Sequence, residues 1–276
     1  MLTDSERTRL RTCLRRVVGG RDHLTDCQTG QIAAETNLPL RKVECFALAE
    51  GVIPERYDRN IGTLGLEGQC KLLSSCVTVV GLGGLGGHVI ETLARLGVGR
   101  IIGVDGDVFV ESNLNRQLLS NVENFGQSKA EQAGLHVRRV NPAVEFVGYS
   151  APFQSVADRI FSDSSLVFDC LDSISERRVL AERCASAGVA LVHGAIAGWC
   201  GQVAVCPAGG DVLDRLYAGG KRGVETHVGN LPFTAAVAAN LMVAKAVPLL
   251  LGQPVPTCLE VQFFDLLDGD WETIKL

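Results

Sequence analysis

"CVTVVGLGGLGGHVIETLARLGVGRIIGVD", residues 76–105, decides the fold class. A short, continuous apolar run is the pattern of a strand buried on both faces, as parallel sheets require. Gly81, Gly83 and Gly86 follow at the spacing GxGxxG, with Gly84 among them. In such a turn the first glycine permits the tight bend and the second lets a ligand approach the backbone. The third brings the helix close to the strand. An amphipathic helix, a second apolar strand and Asp105 come next. Backbone N–H groups at a helix N-terminus attract an anion, and a carboxylate ending the second strand can accept both ribose hydroxyls. The stretch predicts a bound nucleotide without saying which one.

Further along, "GQSKAEQAGLHVRRVN" (126–141) reads as a helix ended before Pro142. "VEFVGYS" is a third strand, "SVADRIFSD" a short helix and "SLVFDCLD" (165–172) a fourth strand. The helix "SERRVLAERCASAG" and the strand "VALVHGAI" (189–196) complete the alternation. After Gly198 the rhythm changes. "GQVAVCP" (201–207) is a strand, and 208–230 is a glycine-rich loop with a short helix. Residues 231–252 form a long apolar helix, and 258–276 a hairpin turning near Asp268–Gly269. The prediction is α/β: a Rossmann-like, mostly parallel sheet continued by antiparallel C-terminal strands.

The N-terminal segment is different. "DSERTRLRTCLRRVV" has helical periodicity, and two short helices follow, joined at Asn37–Pro39, with Gly51 as a stop. Residues 1–52 are expected to be a helical appendage serving docking or dimerisation, and 53–276 the main domain. "RYDRNIGTLGLEGQCKLLSS" (56–75) reads as a connector, or cover, running into a short amphipathic helix.

The 276 residues carry a net charge of -5, which gives no global basic field for nucleic acid. The ten cysteines form no CxxC pair, so neither a disulfide framework nor a structural zinc site is expected. The start lacks the apolar core of a signal peptide. Asn240, Lys245 and Pro248 interrupt the one long apolar run, so no membrane span is expected. A cytoplasmic enzyme is the expectation.

The residues after Asp105 are unusual for a dehydrogenase. Asp107, Glu111, Asn113, Asn115, Arg116 and Gln117 crowd into one short span, and Lys129 enters the next helix. Arg116 supplies a planar fork and Lys129 a point charge, which together suit a triphosphate. Asp172, at the end of the fourth strand, can hold Mg²⁺ on phosphate oxygens. The alternatives are local: Arg116 pairing with Glu111 or Glu123, Lys129 solvated, Asp169 capping nearby backbone.

"RYDRNIGTLGLEGQ", the glycine loop, "VDGDVFVESNLNRQLL", "GQSKAEQA", "NP" at 141–142, "VFDCLDS" and "VHGAIAGWCGQVAV" occur in that order. Through them the chain resembles, over roughly 55–276, the HesA/MoeB/ThiF family of ubiquitin-activating (E1)-like adenylyltransferases. The resemblance implies ATP and Mg²⁺ as cofactors. It also implies a small ubiquitin-fold sulfur carrier, ending in Gly-Gly, whose C-terminus is adenylated with release of pyrophosphate. Gly81, Gly83, Gly84 and Gly86 fall on the family's glycine loop, Asp105 on its ribose carboxylate and Asp107 beside it. Asn113, Arg116 and Lys129 fall on its phosphate ligands, with Gln117 adjacent, and Asp172 on its metal ligand. Arg59 matches an arginine that reaches the partner subunit's ATP in family homodimers. Arg59, Arg116, Lys129 and Asp172 are therefore the candidate catalytic set. A sulfurtransferase partner is a further implication.

The departures are the missing zinc CxxC pairs, Asn60 for a usual glutamine, Ser173 for a usual asparagine, and the appendage. Cys184 reads as core. Cys200 and Cys206 lie near the expected carrier groove with nothing adjacent to activate them, so adenylation without an obligatory thioester is expected. Lys221 and Arg222 are candidates for clamping the carrier tail. The competing readings are a tRNA threonylcarbamoyladenosine dehydratase-like adenylation, an NAD dehydrogenase and a catalytically degenerate partner-binding scaffold. The first is disfavoured by the SNLNRQ run and the lack of a basic tract.

Overall fold

A computed structural model describes residues 2–218, 228–256 and 259–276. In chain order the sheet strands are β3 (Cys76–Val80), β4 (Arg100–Val104), β5 (Glu145–Tyr149), β6 (Leu166–Asp169) and β7 (Leu191–Ala197). They continue with β8 (Cys200–Cys206), β9 (Glu260–Asp265) and β10 (Asp270–Lys275). These eight strands form one sheet in the order β10-β9-β8-β7-β6-β3-β4-β5. Strands β5, β4, β3, β6 and β7 run parallel, and β7 to β10 pair antiparallel. The expected composite sheet is present. β3 and β6 read as unbroken apolar runs because both faces are covered.

Helices α5 (Gly84–Leu96), α6 (Lys129–Val140) and α10 (Pro232–Leu250) belong to the larger core, with Val89, Ile90, Leu93, Val137 and Met242 inside it. α7 (Ala157–Phe161), α8 (Ile174–Ala187) and α9 (Val212–Leu216) contribute Ile160, Leu180, Cys184 and Leu213 to a second core on the other face. By length and composition α10 could cross a membrane. Its alanine-rich face instead packs on α5, β7 and β8, so close to β7 that a Cβ on Gly194 would lie 2.3 Å from Met242 Sδ.

Boundaries differ from the sequence reading where side chains bond their own backbone. β6 stops at Asp169, not Asp172, because Asp169 Oδ1 accepts from Leu171 N–H at 3.1 Å and turns the chain out of the sheet. α6 starts at Lys129, capped by Ser128. The hairpin turn holds Leu266–Gly269, with Gly269 at φ 76°. Segment 56–75 is mostly helical: α4 (Asp58–Ser74) runs through it, bent at Gly65 (φ 68°). Asn60 and Gln69 brace that bend, Asn60 donating to Gln69 Oε1 (3.1 Å) and Gln69 to Leu96 O (2.8 Å).

The N-terminal segment folds as α1 (Asp4–Val18), α2 (Asp26–Thr36) and α3 (Leu40–Ala49). Capping boxes at Thr3 and Thr25 start the first two. Leu10, Leu14, Ile32 and Val43 give these helices a core of their own. Two short strands that the sequence did not reveal, β1 (His23–Leu24) and β2 (Ile53–Pro54), tie them to the main domain.

A buried polar cluster seals that junction. Glu44 of α3 accepts from Tyr57 Oη at 2.9 Å, and Asn141 donates to the same hydroxyl at 3.0 Å. Arg56 lies 3.3 Å from Glu44, without a hydrogen bond between those two atoms. Burial outweighs its charge and pushes the Glu44 carboxyl up to about 7. Below its ordinary value of 4.5 the group is protonated in folded and unfolded chains alike and costs nothing. As pH rises towards 7 the unfolded chain ionises while the folded one resists, so stability falls across that window. E44Q removes this dependence. Denaturant unfolding should therefore show the wild type losing stability relative to E44Q between pH 4.5 and 7, by on the order of 3 kcal/mol. Parallel pH profiles would contradict the assignment.

Candidate functional site

The C-terminal edge of β4, β3, β6 and β7 opens into a cleft of about 580 Å³. This is where open α/β sheets place ligands. Its floor is the β3–α5 turn. Gly81 has φ 87°, and a Cβ there would lie 2.6 Å from Cys170 O. A Cβ on Gly86 would lie 1.9 Å from Gly81 O. Gly86 does not line the cleft; its part is to let α5 seat against the turn. Gly83 and Gly84 do line it, beside the N-terminus of α5, whose first turn carries no acidic residue.

Asp105 follows β4 and closes one end of the cleft. Its Oδ2 accepts from Leu82 N–H at 2.7 Å and its Oδ1 from Asp107 N–H at 2.8 Å, so the carboxylate joins the ends of β3 and β4. Burial pushes its pKa up, against the pull of Lys129 and both backbone bonds. Lys129 is buried, with Nζ 2.8 Å from Asp107 Oδ2 and 3.9 Å from Asp105 Oδ2. It is neither solvated nor paired with a remote surface group. Two acidic neighbours hold the Lys129 side chain inside the cleft.

Arg116 also faces the cleft and bonds Ser112 O (3.2 Å) and Asn115 Oδ1 (2.8 Å), not Glu111 or Glu123. Gln117 is buried with its Oε1 unpartnered, and its Nε2 would be 3.3 Å from a Cβ on Gly83. A buried, unbonded amide oxygen beside a glycine cradle fits a polar ligand with a donor to offer. Asn113 does not reach the cleft; its Oδ1 accepts from Val110 N–H at 3.1 Å and shapes the loop. Asp172 is exposed at the mouth, placed by the Asp169 turn. A carboxylate there can share a cation with phosphate oxygens. Among the described residues, no group of three or more His, Cys, Asp or Glu side chains is placed to hold a metal ion. Arg59 lies outside the cleft of its own chain, its side chain 98% exposed.

The sequence reading missed a buried network at the wall of the cleft, which Arg177 lines. Asp169 is fully buried, and burial alone would raise its pKa. Arg177 at 3.2 Å and His193 Nδ1 at 2.7 Å outweigh that and hold it low. Burial keeps His193 neutral, with Nδ1 the protonated nitrogen because an ionised carboxylate only accepts. Its Nε2 then faces Tyr217 Oη at 3.1 Å. The available signal was a histidine inside the apolar strand "LVHGAI".

Burial raises the thiol pKa of Cys170, Cys184 and Cys206, to about 12 for Cys184, as its core reading implies. Cys200 is exposed, and its thiol is raised as well, by burial and by Asp265, to which it donates at 3.3 Å. Lys221, Arg222 and Cys258 lie outside the described residues.

The ThiF family matches residues 57–276. The chain is 34% identical over 237 residues to the SAMP-activating enzyme E1 of Haloferax volcanii, covering 80% of this chain and 84% of that protein. It is 33% identical over 256 residues to the adenylyltransferase and sulfurtransferase MOCS3 of Bos taurus, covering 90% of this chain. It spans 56% of the length of that relative. Among solved structures, MccB of E. coli with ATP superposes with a TM-score of 0.65 at 19% identity, covering 90% of this chain and 82% of that one. The E. coli tRNA N6-threonylcarbamoyladenosine dehydratase TcdA superposes at 0.61 and 20%, covering 71% and 94%. At such identities the likeness is one of fold.

The glycine geometry separates two neighbouring substitutions. G86A forces a carbon into Gly81 O and should cost about 3 kcal/mol or more. G84A meets only ordinary contacts, the nearest at 3.5 Å, and should stay within about 1 kcal/mol of wild type. Thermal unfolding of the pair checks this; equal losses would contradict it.

Proposed function

The chain belongs to the ThiF family and is an E1-like adenylyltransferase, and from that premise we propose that it adenylates the C-terminal Gly-Gly carboxylate of a small ubiquitin-fold sulfur carrier. The observation that carries this reading is the gathering of Asp105, Arg116, Lys129 and Asp172 around the N-terminus of α5 in one cleft. Asp105 receives the ribose, and the α5 N–H groups receive the α-phosphate. Arg116 and Lys129 meet the outer phosphates, Lys129 exchanging its Asp107 contact for phosphate oxygen. Asp172 would hold Mg²⁺, which would supply further charge neutralisation on the phosphates.

A carrier carboxylate oxygen bonds to the α-phosphorus. The bond to the bridging oxygen breaks, and pyrophosphate leaves with that electron pair. The carboxylate is already ionised at neutral pH, so no general base is required. Positioning and charge neutralisation supply the rate. The reading includes a homodimer in which the exposed Arg59 completes the partner's site, and a cytoplasmic enzyme with a helical segment 1–52 appended to a catalytic unit 53–276. The raised thiols of Cys184, Cys200 and Cys206 support adenylation without an obligatory thioester. A partner sulfurtransferase would then supply the sulfur.

ATP–pyrophosphate exchange tests it. Exchange should require a ubiquitin-fold protein ending in Gly-Gly, cease when its last glycine is deleted, and fall about 100-fold in R116A. Exchange supported by tRNA instead, or absent with every Gly-Gly carrier tried, would contradict it.

A further inference from the structure

Tyr217 lines the cleft at the end away from the nucleotide. Asp105 follows β4, the glycine loop follows β3, Asp172 follows β6, and Ala195 and Ile196 belong to β7. With strands ~4.8 Å apart, the cleft extends about 14 Å from the ribose carboxylate to Ala195 and Ile196. A nucleoside held at Asp105, with its α-phosphate at α5, leaves the β6–β7 end for whatever is bonded to that phosphate.

At that end Tyr217 is fixed from three elements. α8 holds its backbone, Arg178 donating to Tyr217 O at 2.7 Å. β8 supplies Gln202, whose Nε2 donates to the hydroxyl at 2.9 Å. β7 supplies His193, whose Nε2 lies 3.1 Å from the same hydroxyl while its ring meets the tyrosine edge-on, 5.7 Å between centroids. His193 is in turn oriented by the buried Asp169. A side chain held by this many contacts has little freedom to swing aside for a bulky neighbour.

The geometry points to Tyr217 as a specificity-determining wall that limits the acyl residue next to the adenylate to one without a side chain, with His193 as its positioning residue. The inference rests on the adenylation reading and narrows it. The acyl end accepts glycine because a rigid ring occupies the volume a larger side chain needs, which is discrimination by exclusion. Loss of the ring should admit larger residues while the nucleotide end, built from other elements, keeps its affinity for ATP.

Carrier-independent probes test this: 5′-O-sulfamoyladenosine N-acylated with glycylglycine, and the same compound acylated with glycylleucine, both isosteres of the mixed anhydride. Calorimetric titration of the wild type should give at least tenfold tighter binding of the glycylglycine form. In Y217A the two affinities should come within about twofold of each other, with ATP affinity unchanged. Y217F keeps the ring and loses its anchor, and should lower the ratio at least threefold; it decides the matter if Y217A does not fold. An unchanged ratio in the variants, or none in the wild type, would overturn the wall. A wild type that binds neither ATP nor either probe would defeat the adenylation reading itself, and the wall with it.

Discussion

The absence of side chains at Gly81 and Gly86 is the constraint on which the rest depends. Gly81 lies against the backbone of Cys170, just past the end of β6, and Gly86 lies against Gly81 O. A Cβ on Gly81 would push the turn off the end of β6, and one on Gly86 would push α5 off the turn. With the contact made, the N–H groups of α5 point into the cleft at the edge where β3, β4 and β6 end. Three charged residues of the site are placed around that point: Asp105 by its bond to Leu82 N–H, Asp172 by the Asp169 turn, Lys129 by its pairing with Asp107.

The site also carries its positive charge in two ways. Lys129 is buried, and two carboxylates compensate it until an anionic ligand competes. Arg116 remains half-exposed, held by a carbonyl and an amide, and among the described residues no acid pairs with it. The pairing of Asp169 with Arg177 and His193 is buried. It ties the strand ends β6 and β7 together, and Arg177 brings it to the wall of the cleft with its charge already paired by Asp169.

The parallel half of the sheet was legible because burial on both faces leaves apolar runs of strand length, and glycines mark the turns between them. The antiparallel hairpin was legible from Asp268–Gly269. Strand and helix ends were not, since single side-chain bonds such as Asp169 to Leu171 N–H set them. Segment 56–75 looked like a connector because its three glycines weaken a helical pattern; the helix survives by bending at Gly65. In the site, the motif residues were found, but motif membership did not reveal that Gly86 and Asn113 shape the backbone rather than line the cleft. The His193–Tyr217 contact was invisible for a plainer reason: its residues are 24 positions apart and meet only through the sheet.

A crystal structure with the α,β-methylene analogue of ATP tests the central claim most directly. The account requires the ribose on Asp105, the α-phosphate at the Gly83–Gly84 backbone, and outer phosphate oxygens within hydrogen-bond distance of Lys129 and Arg116. A nucleotide bound away from this cleft, or in it with its phosphates turned from α5, would contradict the account.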